Sequence, residues 1–285
     1  MMNGNPVLSK LGLSPTDRVV IFHADDIGMC QASVDAYADL VAFGLLSSAA
    51  TMVPCAWFPA TAEFCRQHPQ VDMGVHLTLT SEWAGYRWRP VSTCDPASGL
   101  LDEMGYFYPR EDDVQACGRE TAVYRELKAQ IECALAAGID ATHIDTHMLA
   151  IFPTFVNVYL RLADEFNLPA FALRSDAAQV GHLPATADRG GRPLVDAWCV
   201  MSYDDHENRF EQAQHYLDKL TPGITNFLLH PAKDTPELRA IAPDWRTRVA
   251  DYHLFTDERF RRYVQQSDIQ VIGWRALKEL RTLKE

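Results

Sequence analysis

Four short clusters place histidine beside aspartate, or alone, after an apolar run: His23-Ala24-Asp25-Asp26, Gly74-Val75-His76, His143-Ile144-Asp145-Thr146-His147 and His230-Pro231. Two imidazoles and a carboxylate from separate strands can hold a divalent cation and leave positions open for water and substrate, as catalytic rather than structural metal sites do. A second carboxylate can then take a proton from the activated water. Asp25 and Asp26 are adjacent, so their side chains are expected to diverge, one toward the metal and one toward the water. Asp145 is expected to fix a ligand histidine through its second ring nitrogen, with direct substrate contact as the alternative. His143, Asp145 and His147 share one face if their strand stays extended. Each residue taken singly has an ordinary reading as a helix cap, a hydrogen-bonded core histidine or a turn. Their joint position at the ends of four predicted strands favours chemistry.

Further candidates are weaker. Arg174 ends the run Phe171-Ala172-Leu173 and reads as a residue that orients a carboxylate, contacts substrate or makes a surface ion pair. Trp83, Tyr86 and Trp88 follow His76 and read either as a platform for a sugar ring or as core filling. The seven cysteines include no CxxC pair and suggest neither a disulfide framework nor a zinc knuckle. No GxGxxG or P-loop follows a strand, so nucleotide binding has no support.

The elements that must carry these residues alternate along the chain. Val19 to Phe22 is a short β-branched run of the kind buried on both faces. Val34, Tyr37, Ala38 and Val41 then recur at helical spacing, and Gly44 stands where a helix would end. Strand-like runs follow near 46–53, 71–79, 141–146, 169–173, 194–201, 224–229 and 269–273, mostly separated by helical patterns. This pattern predicts parallel β-sheet in one α/β domain spanning 1–285, a TIM-like (β/α) barrel in preference to a doubly wound sheet. Strand C-terminal ends meet at one barrel face, which brings distant clusters together. Two stretches, 81–118 and 231–256, are expected as long active-site loops, the second with room for a short helix.

The 285 residues are 47% hydrophobic and 22% charged, enough to bury a core. A net charge of −12 argues against nucleic acid as a partner. The uncharged stretch from Leu40 to Ala62 is interrupted by Gly44, Pro54 and Pro59, so it reads as helix end, strand and loop rather than a membrane span. The amino terminus lacks a secretory pattern, and the cytoplasm is the expected location. A homo-oligomer is left open.

The motifs Ala24-Asp25-Asp26-Ile27-Gly28, Gly74-Val75-His76-Leu77, Thr142-His143-Ile144-Asp145-Thr146-His147 and Leu229-His230-Pro231, in that order over most of the chain, resemble the YdjC-like (ChbG/HpnK) carbohydrate deacetylases. The resemblance implies an irregular TIM-like barrel and one divalent metal, zinc or magnesium, held by the residues matching Asp26, His76 and His147. Asp25 matches the catalytic base and His230 the general acid, and the implied substrate is an N-acetylated sugar. The chain departs from the commoner pattern at Met148-Leu149-Ala150, where many relatives carry more histidines, and at Ala232, where glycine is frequent. Segments 81–88 and 242–252 look like those of a subgroup. The competing readings are a metal-dependent sugar isomerase or aldolase on the same barrel, an iron-dependent oxygenase, and a non-catalytic carbohydrate-binding protein.

Overall fold

The computed structural model describes residues 5–174, 185–186 and 192–282. Its strands are β1 (Arg18–Ile27), β2 (Ser48–Thr51), β3 (Met73–Leu77), β4 (Ile144–Thr146), β5 (Leu173–Arg174), β6 (Ala185–Thr186), β7 (Ala197–Val200), β8 (Gly223–Leu229) and β9 (Ile269–Val271). The main sheet runs β4-β3-β2-β1-β8-β7, with β9 added beside the first residues of β1. Every ladder is parallel. The result is a curled parallel sheet wrapped by helices. Beyond β4, single parallel bridges join Ile144 to Ala170 and Leu173 to Val195, two residues before β7.

Because the ladders are parallel, the C-terminal ends of β1, β3, β4 and β8 face the same way and bring their histidines and aspartates together. All of β1 except Arg18 is buried, as a strand covered on both faces requires. The helix Gln31–Phe43 follows it and ends at Gly44, whose φ of 79° is the left-handed C-terminal conformation glycine adopts freely. The uncharged stretch 40–62 is the end of that helix, β2 and the start of the helix Phe58–Gln67. Among the described residues no helix is long and apolar enough to cross a membrane.

Three expectations change. The run 169–173 is not a full strand: it pairs with β4 only around Ala170, and the regular pairing begins at Leu173. Pro169 has no N–H with which to extend the ladder backward. Segment 231–256 is mostly helical, with helices at Pro236–Ile241 and Trp245–Phe255. The second helix turns Thr247, Arg248 and Asp251 inward as well as Val249 and Leu254, so its buried face carries no apolar periodicity to read. Segment 81–118 holds a 3₁₀ turn at Pro96–Ser98 and a helix at Glu111–Cys117 around irregular chain.

Candidate metal and catalytic centre

Asp25 and Asp26 do not diverge, because β1 is bulged between them. Ala24 pairs with Ala49 and Ile27 with Thr51, so two residues of β1 stand opposite one of β2. Asp26 has φ 62°, the left-handed region that a non-glycine residue occupies at a cost. A bulge re-aims side chains at a strand end. Here it turns both carboxylates toward the cluster: Asp26 Oδ1 lies 3.3 Å, and Asp25 Oδ2 4.0 Å, from Nε2 of His76. Gly28 closes the turn with φ 90°, and a Cβ there would meet the Thr61 hydroxyl at 2.9 Å.

Asp26, His76 and His147 are all buried, and their nearest ligand atoms lie within 4.8 Å of one another. Oδ1 of Asp26 is 3.0 Å from Nδ1 of His147, yet this buried oxygen has no well-directed hydrogen bond. An acceptor close to two imidazole nitrogens but aligned with neither suits a shared cation better than a hydrogen bond. The far side of each group is engaged. Nδ1 of His76 lies 2.9 Å from Asp145 Oδ1, Nε2 of His147 lies 3.2 Å from Glu82 Oε2, and Arg248 Nη1 donates to Asp26 Oδ2 at 2.8 Å. Carboxylates behind both imidazoles fix the rings with a lone pair turned inward. Two other groups could hold a metal by proximity, His23-His143-Asp145 and Asp25-His76-Asp145. In the first, Nε2 of His23 and Nε2 of His143 are hydrogen-bonded to each other, and in the second, Nδ1 of His76 and Oδ1 of Asp145 are.

These neighbours set the charges. Burial works against the carboxylate of Asp26, but His147 and Arg248 outweigh it and hold its pKa well below the ordinary range. Burial opposes the imidazolium of His147, while Glu82 and Asp26 raise its pKa to about 9. His76 is likewise raised well above its usual value, against burial, by Asp145 and Asp25.

His230 follows β8 with its Nε2 3.7 Å from Asp25 Oδ2. Its backbone N–H donates to Asp251 Oδ2 at 2.9 Å, and the Tyr203 hydroxyl lies 3.2 Å from its Nδ1. Arg209 pairs with Asp251 from behind at 3.1 Å. Asp25 and His230 border a cavity of about 220 Å³ whose lining also includes Phe171, Trp198, Val200 and Leu228.

Asp25, Asp26, His76, Asp145, His147 and His230 therefore come together. Trp83 and Trp88 lie against Arg248 and His147 respectively and are not among the residues that line the cavity. They are 7% and 4% exposed, pack edge to face at 5.8 Å, and Trp88 stands 6.1 Å from the His147 ring. Arg174 is not among the cavity residues. It pairs at 3.2 Å with Asp196, which also accepts the N–H of Ile224 near the start of β8, at the end of that strand remote from His230. Sequence reasoning assigned no role to Glu82, Arg248, Tyr203 or Asp251. Segments 81–88 and 242–252, distinctive already as sequence, hold Glu82, Arg248 and Asp251. Arg248 spends its guanidinium on Asp26, on Asp244 at 3.0 Å and on the Trp83 ring at 5.4 Å. His23 also had no role, though it stands two residues before Asp25 and therefore on the same strand face.

A profile described as YdjC-like protein matches residues 19–266, most of the chain. The chain belongs to the YdjC-like family. A Thermus thermophilus protein named carbohydrate deacetylase is 35% identical over 279 residues, 96% of this chain and 98% of its own length. Proteins of the same name from Listeria monocytogenes and Thermoanaerobacter pseudethanolicus are 27% and 24% identical, over 90% and 92% of this chain and 99% and 100% of theirs. A solved structure from Enterococcus faecalis, assigned provisionally to cellobiose-phosphate cleavage, superposes with a TM-score of 0.79 at 22% identity. It covers 92% of this chain and 99% of its own, a likeness of fold. The matched span of this YdjC-like chain includes all six residues that meet at the centre.

Proposed function

We propose that this chain is a metal-dependent carbohydrate deacetylase, which hydrolyses the acetamide of an N-acetylated sugar to acetate and the free amine. The observation that carries the reading is the buried, unsatisfied Oδ1 of Asp26 between two carboxylate-backed imidazoles, whose neighbours Asp25 and Asp145 line a cavity together with His230. The names of relatives that match over nearly the whole chain support it. The sheet circuit through the bridges at Ala170 and Val195 supports an irregular TIM-like barrel in a single domain.

Asp26, His76 and His147 would hold zinc or magnesium. When bound, the ion supplies Lewis acidity to the acyl oxygen and to water. Asp145, Glu82 and Arg248 keep the three ligands aimed inward. Asp25 accepts the proton of the attacking water at Oδ2, the oxygen nearer His230. His230 donates a proton to the departing nitrogen, which cannot leave readily as an amide anion, so the C–N bond breaks to give a neutral amine. The contacts from Tyr203 and Asp251 hold this histidine beside the cavity. A small neutral saccharide fits the mixed polar and apolar lining.

The test is to incubate zinc- or magnesium-loaded protein with N-acetylglucosamine and its short oligomers, and to measure acetate and free amine. Equal amounts of both products, abolished by chelation, are expected. Sugar consumed without acetate would replace the reading with an isomerase or aldolase.

A further inference from the structure

Behind Asp25 a file of buried polar groups crosses the sheet. Asp72 anchors it: the backbone N–H of Arg275 donates to Oδ2 at 2.6 Å, and the hydroxyls of Ser48 and Thr142 donate to Oδ1 at 2.9 and 2.6 Å. Thr142 has spent its one proton, so its oxygen accepts from His143 Nδ1, 3.0 Å away. Neutral His143 thus carries its proton on Nδ1 and offers Nε2 as an acceptor. His23 Nε2, at 2.7 Å, must donate to it. One contact is left, His23 Nδ1 to Asp25 Oδ1 at 2.7 Å, and it holds one proton. With Asp25 ionised, as a base must be, that proton belongs to His23.

The file has little freedom to rearrange. His23 and His143 are fully buried, and the His143 ring stacks on Trp274 at 4.9 Å. On β3 the ring meets Gly74, where a Cβ would come within 2.4 Å of it. The charged and titratable groups around His23 are Asp25 on its own strand, His143 and Asp145 on the β4 side, with Asp145 Oδ2 at 3.4 Å, and His76 on β3.

We propose that His23 is a positioning residue: a buried imidazolium, held in one orientation by neutral His143, that occupies Oδ1 of Asp25 and leaves Oδ2 as the atom that takes the proton. The proposal rests on the reading of Asp25 as the base. Two carboxylates flank the cation and offset its burial. In keeping with this, burial lowers the pKa of His23 but its hydrogen bond to Asp25 and the charges of Asp25 and Asp145 raise it overall, while burial and the charge of His23 push His143 well down.

Long-range ¹H–¹⁵N spectra of zinc-loaded, histidine-labelled protein decide the protonation without any substrate. The expected pattern is His23 protonated on both nitrogens and His143 on Nδ1 alone, with the His23 signals assigned by their loss in His23→Asn. A neutral His23, or a His143 protonated on Nε2, would overturn the proposal. The kinetic arm uses the same variant, whose amide can donate to Asp25 but carries no charge and does not reach His143. Its zinc content is expected to equal that of the wild type, with KM within about twofold and kcat down about 10- to 100-fold. Unchanged kcat with lowered stability alone would make His23 merely structural. Absence of any deacetylation by the wild type would remove the reaction assigned to Asp25, while the spectra would still decide the imidazolium.

Discussion

The division of labour proposed for the two adjacent aspartates can be tested residue by residue. Asp26→Asn weakens a ligand, so bound metal and activity should fall together. Asp25→Asn keeps its shape and its distance from the ion, so metal content should hold while kcat drops by about 10² to 10⁴. Metal analysis beside turnover separates the two, and equal metal loss in both variants would mean the roles are divided wrongly. Arg248 offers a second test. Its guanidinium is buried against Asp26 and Asp244, and removing one partner of such a pair leaves a buried charge uncompensated. Arg248→Met should cost the metal-free protein about 3 to 5 kcal/mol in urea unfolding, and less once a cation faces Asp26. Asp25, Asp26, His76, His147 and His230 were legible as candidates because short motifs at strand ends carry them. Arg248 and Glu82 were not, since a buried ion pair leaves no mark in sequence until the partner's position is known.

At the scale of elements, the parallel α/β architecture follows from the alternation of apolar runs and helical patterns, and the ends of β1, β3, β4 and β8 were correctly taken as one face. The bulge in β1 was not legible: Asp25-Asp26 reads as an extended pair, and only the register with β2 shows the extra residue. The segment that holds the helix Trp245–Phe255 reads in sequence as a long loop with room for a short helix, because half of the helix's inward face is polar. The aromatic segment after β3 admitted two readings, and its burial favours packing. Trp88 sends its indole N–H to the Thr80 carbonyl at 2.7 Å and lies against His147. Trp88→Ala should therefore cost about 3 to 5 kcal/mol of stability, measured by denaturant unfolding. A rise in KM with stability unchanged would instead return this tryptophan to the substrate.

For the whole molecule, the proposed site links the stability of the fold to protons and to the metal it would hold. In the metal-free protein His147 has a pKa raised to about 9 from 6.5. A raised pKa stabilises the fold fully below the unfolded value and ceases to do so as pH rises through the folded one. The melting temperature of metal-free protein should thus fall between pH 6.5 and 9. Cation binding replaces the protons on His76 and His147, so the decline should flatten in the loaded protein. The measurement closest to the central claim is the anomalous map of a zinc-soaked crystal. One peak is expected, with Asp26 Oδ1, His76 Nε2 and His147 Nδ1 each about 2.0 to 2.3 Å from the ion. A peak held instead by His23, His143 and Asp145, or none at the three ligands, would contradict it.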